Sequence, residues 1–247
     1  MSPDSAVPGS PADVLAELDA LRRRTRAARH AHWLPLLLFG LLGAVALPFY
    51  VMAETPAEMV APQQVPILAR LGGDVLDDAV ALGWYWLAAL IAGYLVSLAW
   101  YRWRGQQVGL QSPVRGYVLA GLAGTVAALT LTLVLDVLYS NVSGPVHDLA
   151  VWFTSELMAV NSRGMFPHLV IGVGLAVLAR LERSRALTVT VVLYVAVLVL
   201  VSVAFRVDAY AVVGLLGRFT FLVAALLPVV VLLAGGCAAA LLRRRPA

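Results

Sequence analysis

Asp136 is the residue whose chemistry stands out, because its carboxyl group interrupts the apolar stretch LTLVLDVLYSN at residues 131–141. A charged side chain at the centre of a bilayer costs about 2.5–3.5 kcal/mol, so such a residue is a candidate for binding an ion, a proton or a substrate. Asp136 is only three residues from Tyr139, or about 5 Å from the end of its helix. We therefore predict a carboxylate at the outer boundary that contacts a basic side chain, with Arg163 and His168 as the first partners. A role in binding is the alternative.

Further polar residues are expected at the same boundary. They are acids, arginines and a histidine at the ends of apolar runs: Asp136, Arg163, His168, Arg206, Asp208 and Arg218. Histidine and aspartate are common metal ligands, but these residues lie in separate segments and form no motif of fixed spacing such as HExxH. The sequence predicts an outer-face polar cluster, and no metal, cofactor or catalytic residue.

One stretch, NSRGMFPHL at residues 161–169, is similar to the Ser-Arg…His element of membrane phosphatases of the phosphatidic acid phosphatase type. That resemblance would imply a histidine nucleophile with arginines around a phosphate. The interval from Arg163 to His168 is one residue short of the pattern, no acid follows His168 at the required distance, and the other two elements are absent. The sequence favours a protein that is not an enzyme.

Composition predicts that the main solvent of this chain is a lipid bilayer. Of its 247 residues 61% are hydrophobic and 13% charged, with a mean hydropathy of +0.87. Soluble domains are about 45–50% apolar and about 25% charged. All 18 basic residues are arginine, a usage typical of a bacterial genome rich in G and C. The only cysteine, Cys237, cannot form an intramolecular disulfide.

Six apolar runs are near the roughly 20 residues that cross a bilayer. They lie at about 33–52, 83–101, 117–139, 166–179, 187–205 and 219–242. The fourth is short, so an alternative with five spans exists. The fold class is thus all-α: a polytopic integral membrane protein with six transmembrane helices.

Arginine placement predicts which side each loop faces, since cytoplasmic loops carry the excess of basic residues. With the N-terminus inside, the cytoplasmic segments hold 14 of the 18 arginines, and only Arg70, Arg163, Arg206 and Arg218 lie outside. A protein with five spans would put RLERSR or the C-terminal RRR outside. We therefore predict a plasma-membrane protein with both termini in the cytoplasm.

The N-terminal segment precedes the first span and has its own character. Residues 1–10 are rich in Pro, Ser and Gly, and residues 11–30 predict a helix with Val14, Leu18 and Leu21 on one face. Its acids come early and its arginines late, which complements the helix dipole. The predicted organisation is a cytoplasmic tail and basic amphipathic helix at 1–32, a membrane domain at 33–242 and a cytoplasmic tail at 243–247.

Two function classes follow from this organisation. One is a non-catalytic membrane protein that acts as a scaffold, a sensor or the partner of a cytoplasmic protein through its N-terminal helix. The other rests on a resemblance: a basic amphipathic helix leading into six spans, with both ends inside, resembles permease subunits of ABC-2-type exporters. That resemblance implies transport, dimerisation and a separate ATPase. The expected partners are the lipid bilayer and either a cytoplasmic protein or a second copy of the chain, and not nucleic acid.

Overall fold

The computed structural model describes residues 33–51, 66–108, 118–127, 157–206 and 219–244, together with residues 14, 15, 116, 130, 134 and 155. Within these residues the protein is all-α. The main helices are α1 (Trp33–Ala46), α2 (Ala79–Val108), α3 (Phe166–Glu182), α4 (Arg185–Arg206) and α5 (Thr220–Arg244). Two short 3-10 helices, Leu47–Phe49 and Ile67–Gly72, and a short apolar helix, Val118–Ala127, are also present.

Within the described part of the chain, three helices are long and apolar enough to cross a membrane, over Ala79–Arg104, Arg185–Phe205 and Thr220–Leu241. They coincide with the second, fifth and sixth predicted spans. The first predicted span is a shorter helix that tightens into a 3-10 turn before Tyr50, and the fourth is the 17 residues of α3. Of the third span the structure describes the helix Val118–Ala127, while Asp136 lies outside the described residues.

Helices α1 and α5 pack against each other in antiparallel directions. A Cβ on Gly40 would lie 2.8 Å from Leu233 Cδ2, and one on Gly43 would lie 2.6 Å from Val229 Cγ2. As the residue number rises along α1, the number of the residue that it contacts on α5 falls, so the two helices are antiparallel. The small residues allow a close approach, which is a common way for helices to associate in membranes.

Contacts between aromatic rings give the direction of α2. Trp33 meets Trp100 with ring centroids 5.6 Å apart, and Phe39 meets Tyr94 at 5.2 Å. Helix α2 therefore runs antiparallel to α1. It runs parallel to α3, since Tyr94 donates a hydrogen bond to Val170 O, 3.1 Å away, and Tyr101 donates one to Glu182.

Helix α4 runs antiparallel to both of its neighbours. Its middle residue Tyr194 meets the start of α3, and its last turn meets the start of α5 through the stacked rings of Phe205 and Phe221, 5.3 Å apart. Pro228 lies inside α5, and the helix continues on both sides of it. The bundle of described helices therefore has two ends. We call one the Trp33 end, which contains Trp33, Trp100 and Glu182. We call the other the Tyr50 end, which contains Tyr50, Trp86 and His168.

Candidate functional site: a buried His168 cluster

His168 is buried at the Tyr50 end of the bundle, in the first turn of α3. Pro167 suits this turn because the first helical N–H groups have no partner within the helix. The His168 backbone N–H donates to Met165 O, 3.1 Å away. Its side chain is 1% exposed, and we call His168 with Tyr50, Trp86 and Tyr194 the His168 cluster.

Tyr194 holds one side of the imidazole. Its hydroxyl donates to the backbone carbonyl of His168, with an O–O distance of 3.0 Å. His168 Nδ1 lies 3.2 Å from the same hydroxyl oxygen. When the Tyr194 proton is directed to the carbonyl and the ring proton is on Nδ1, the Tyr194 oxygen accepts a hydrogen bond from Nδ1–H. This pair of contacts connects α3 to α4.

Tyr50 lies on the other side of the ring. Its hydroxyl donates to Gly164 O at 2.8 Å and accepts from Trp86 Nε1 at 3.1 Å. The remaining distance, from Tyr50 Oη to His168 Nε2, is 3.5 Å, at the outer limit of a hydrogen bond. Trp86 also meets the imidazole edge to face, with centroids 5.3 Å apart.

The His168 cluster therefore connects four parts of the chain: the segment after α1, helix α2, helix α3 and helix α4. Its side chains are 0–1% exposed, so in this conformation they are closed off from solvent. A buried imidazole flanked by phenols can hold or pass a proton. Among the described residues no carboxylate hydrogen-bonds to it, and no group of His, Cys, Asp and Glu is arranged to hold a metal.

Two turns interlock just beyond this cluster. Asp74 N and Val75 N both donate to Ser162 O, at 3.1 and 3.3 Å. Gly73 and Gly164 have φ of 78° and 67°, a backbone region that favours glycine. The contact fixes the turn before α2 against the turn before α3, and Gly164 also supplies the carbonyl that Tyr50 uses.

Asp74 contributes a half-buried carboxyl group to the first of these turns. Its Oδ1 is buried without a hydrogen-bond partner among the described residues. Burial raises the pKa of the Asp74 carboxyl above its ordinary value, and the backbone N–H of the residue itself opposes that rise. Burial of this kind disfavours the charged form of a carboxyl group relative to the same group in water.

The structure describes two of the predicted outer-face side chains. His168 belongs to the buried cluster, and Arg163 lies with Cζ 4.3 Å above the Phe205 ring, a cation–π contact. Arg206 ends α4, but its side chain is outside the described part, as are Asp136, Asp208 and Arg218. The ion pair of Asp136 with Arg163 or His168 remains a prediction.

Sequence reasoning did not find the partners of His168. Tyr50 and Trp86 resemble ordinary interfacial aromatics at the ends of apolar runs. Tyr194 carries a clearer signal, because it places a hydroxyl group inside a run of valine and leucine. A buried hydroxyl needs a partner, so Tyr194 could have been singled out.

Comparison of the chain with protein-family models, with curated proteins and with solved structures gives no match.

Proposed function

We propose that this chain is a six-span plasma-membrane protein with both termini in the cytoplasm, and that it is a non-catalytic scaffold or sensor with a cytoplasmic partner. The observation that carries the architecture is the alternation of helix direction. Gly124 approaches Val170 and Gly116 approaches Leu181, so the Val118–Ala127 helix is antiparallel to α3. Six described segments therefore alternate in direction along the chain.

The two ends of the bundle agree with the arginine distribution. The Trp33 end includes the end of α2 and the turn between α3 and α4, which carry Arg102, Arg104, Arg180, Arg183 and Arg185. The Tyr50 end carries the Gly73 turn and Arg163. Because basic residues concentrate in cytoplasmic loops, the Trp33 end is the cytoplasmic one in this proposal. Helix α3 then counts as the fourth span despite its length.

Close packing of the helices favours a scaffold or a sensor over a subunit of an exporter. Gly40, Gly43 and Gly236 bring α1 and α5 together, and aromatic side chains fill the space between α1, α2, α3 and α4 at the Tyr50 end. An exporter subunit needs helices that separate during transport. Close-packed interfaces resist such rearrangement because their side chains interdigitate.

A cysteine-labelling experiment tests the architecture. In a Cys237→Ser background, which removes the only cysteine, Asp77→Cys and Ala186→Cys each introduce one exposed thiol. A membrane-impermeant maleimide should label Asp77→Cys in intact cells, and Ala186→Cys only after permeabilisation. Both substitutions leave every arginine in place. Labelling of both variants in intact cells would put residues 77 and 186 on the same side and would contradict α3 as the fourth span.

The partner is proposed to dock on the apolar face of the N-terminal helix. Val14 and Leu15 are helical and 48% and 64% exposed, and five arginines follow at residues 22–29. An apolar groove with an acidic rim on a cytoplasmic protein complements both features. This occupant distinguishes the proposal from simple attraction of the arginines to anionic lipid.

Charge substitution on that face tests the partner. The protein is cross-linked in cells and purified, and the partner that comes with it is quantified. The double substitution Val14→Glu with Leu18→Glu should reduce the amount of partner by about tenfold, which corresponds to a loss of about 1.4 kcal/mol in binding free energy. Ala12→Glu with Ala16→Glu adds the same charge on the opposite face of the helix that the sequence predicts, and should retain the partner. Equal recovery from both variants would contradict the docking proposal. Capture of an ATPase, with ATP-dependent efflux that needs this chain, would favour the ABC-2-type permease instead.

A further inference from the structure

We infer that the Tyr50 hydroxyl is a two-position hydrogen-bond donor that couples the turn at residues 161–165 to the buried imidazole of His168. The inference deepens the proposed function, because it supplies a sensing element, and it rests on that function only in placing the turn at the outer face. Tyr50 has one proton and two acceptors within reach. These are Gly164 O at 2.8 Å and His168 Nε2 at 3.5 Å.

The donors and acceptors around the His168 imidazole define the starting state, the first of the two states of the Tyr50 hydroxyl. With the Tyr194 proton directed to His168 O, we assign the ring proton to Nδ1, which then donates a hydrogen bond to Tyr194 Oη 3.2 Å away. A neutral ring then has a lone pair on Nε2. Since the Tyr50 proton is directed to Gly164 O, this buried acceptor has no full hydrogen bond.

The second state follows from a rotation of one hydroxyl group. When the Tyr50 proton turns to Nε2, the imidazole is satisfied and Gly164 O loses its donor. Each state leaves one acceptor underused, and a buried acceptor without a partner costs about 1–3 kcal/mol. Two states with similar penalties make an element that a small bias can switch.

The turn at residues 161–165 shifts the equilibrium between the two positions of the Tyr50 proton. Gly164 adopts positive φ and interlocks with the Gly73 turn, so displacement of either turn moves the Gly164 carbonyl. A bound donor or a displaced turn then releases the Tyr50 proton to the imidazole. The groups facing the ring from the packed elements are Tyr50, Trp86 from α2 and Tyr194 from α4, and the switch needs no change in their charge.

Nitrogen NMR on the full chain in lipid bilayers tests the starting state. His30→Gln, His32→Gln and His147→Gln leave His168 as the only histidine, so ¹⁵N-histidine labelling reports one ring. The expected spectrum has a protonated Nδ1 and an unprotonated Nε2. An imidazolium, or a ring protonated at Nε2, would overturn the inference.

The switch is tested in the same background. Gly73→Ala places a Cβ against the carbonyls of Asn161 and Ser162, so it should displace the turn and move the Nε2 resonance towards the hydrogen-bonded position. Adding Tyr50→Phe should abolish that movement, whereas Tyr85→Phe, which removes a hydroxyl bonded to Leu42 O, should not. A folded Gly73→Ala protein with an unchanged Nε2 resonance would refute the switch.

A temperature series guards against a Gly73→Ala protein that does not fold. Without that substitution, exchange between the two positions should make the Nε2 resonance drift with temperature, and Tyr50→Phe should remove most of the drift. Equal drift with and without the Tyr50 hydroxyl would contradict the inference. The resonance does not depend on which way the chain crosses the membrane, so this result and the cysteine-labelling result can fail separately.

Discussion

Gly40→Val is expected to destabilise the folded protein by about 1–3 kcal/mol, the usual effect of overpacking a filled interface. A Cβ at position 40 already lies 2.8 Å from Leu233 Cδ2 and 3.1 Å from the Leu233 backbone nitrogen. The side chain of Leu233 can rotate away, but its backbone cannot. Valine adds two methyl groups at this point, so α1 and α5 must separate. Tryptophan fluorescence during thermal unfolding in detergent micelles measures the loss.

Gly124→Val is the matched control for this prediction. Gly124 is also helical, and a Cβ there would lie 3.5 Å from Val170 Cγ1, an ordinary van der Waals contact. Both substitutions remove the same backbone freedom from the unfolded chain, so the difference between them isolates the crowding at α1 and α5. Equal unfolding temperatures for the two variants would contradict the close approach of these helices.

Sequence reasoning succeeded where one segment carries the whole signal. The apolar runs after Gly83, Leu187 and Phe219 predict long helices because each run is long enough to form one by itself. The arginines predict an orientation by the same kind of local signal, and that orientation stays a prediction, because helix directions alone do not say which end is cytoplasmic. Both signals are local and additive, so neither needs a partner from elsewhere in the chain.

The same reasoning failed where two distant segments define one feature. Tyr50 donates a hydrogen bond to a carbonyl 114 residues away in the sequence. The contact between His168 and Tyr194 joins residues that are 26 positions apart and lie on different helices. From the sequence alone, His168 could equally be predicted to form an ion pair at the outer face or to belong to a buried hydrogen-bond network. The choice depends on how α3 is rotated about its axis, and that rotation is set by packing.

Glycines show the same limit on a smaller scale. Gly40 and Gly43 look like neutral members of an apolar helix, although a side chain on either would meet α5. The positive φ of Gly73 and Gly164 becomes visible only in the interlocked turns. A small residue reveals its role only when the surface opposite it is known.

Tyr194→Phe is expected to produce the second large loss of stability, again about 1–3 kcal/mol, because it leaves buried polar groups without partners. The Tyr194 hydroxyl serves two groups of the same residue, His168 O as a donor and His168 Nδ1 as an acceptor. Phenylalanine keeps the ring and removes both contacts. The free energy of unfolding in mixed micelles, measured with a graded series of denaturing detergent, is the readout.

Tyr85→Phe provides the comparison, since the Tyr85 hydroxyl donates to one carbonyl, Leu42 O at 2.6 Å, in a partly buried position. Single hydrogen bonds between membrane helices contribute about 0.6 kcal/mol on average, so Tyr85→Phe should cost less than Tyr194→Phe. The order matters because it separates a general loss of hydroxyl groups from the loss of the His168 cluster. If Tyr85→Phe costs as much as Tyr194→Phe, the cluster contributes no more than an ordinary contact, and α3 and α4 must be held together mainly by apolar packing.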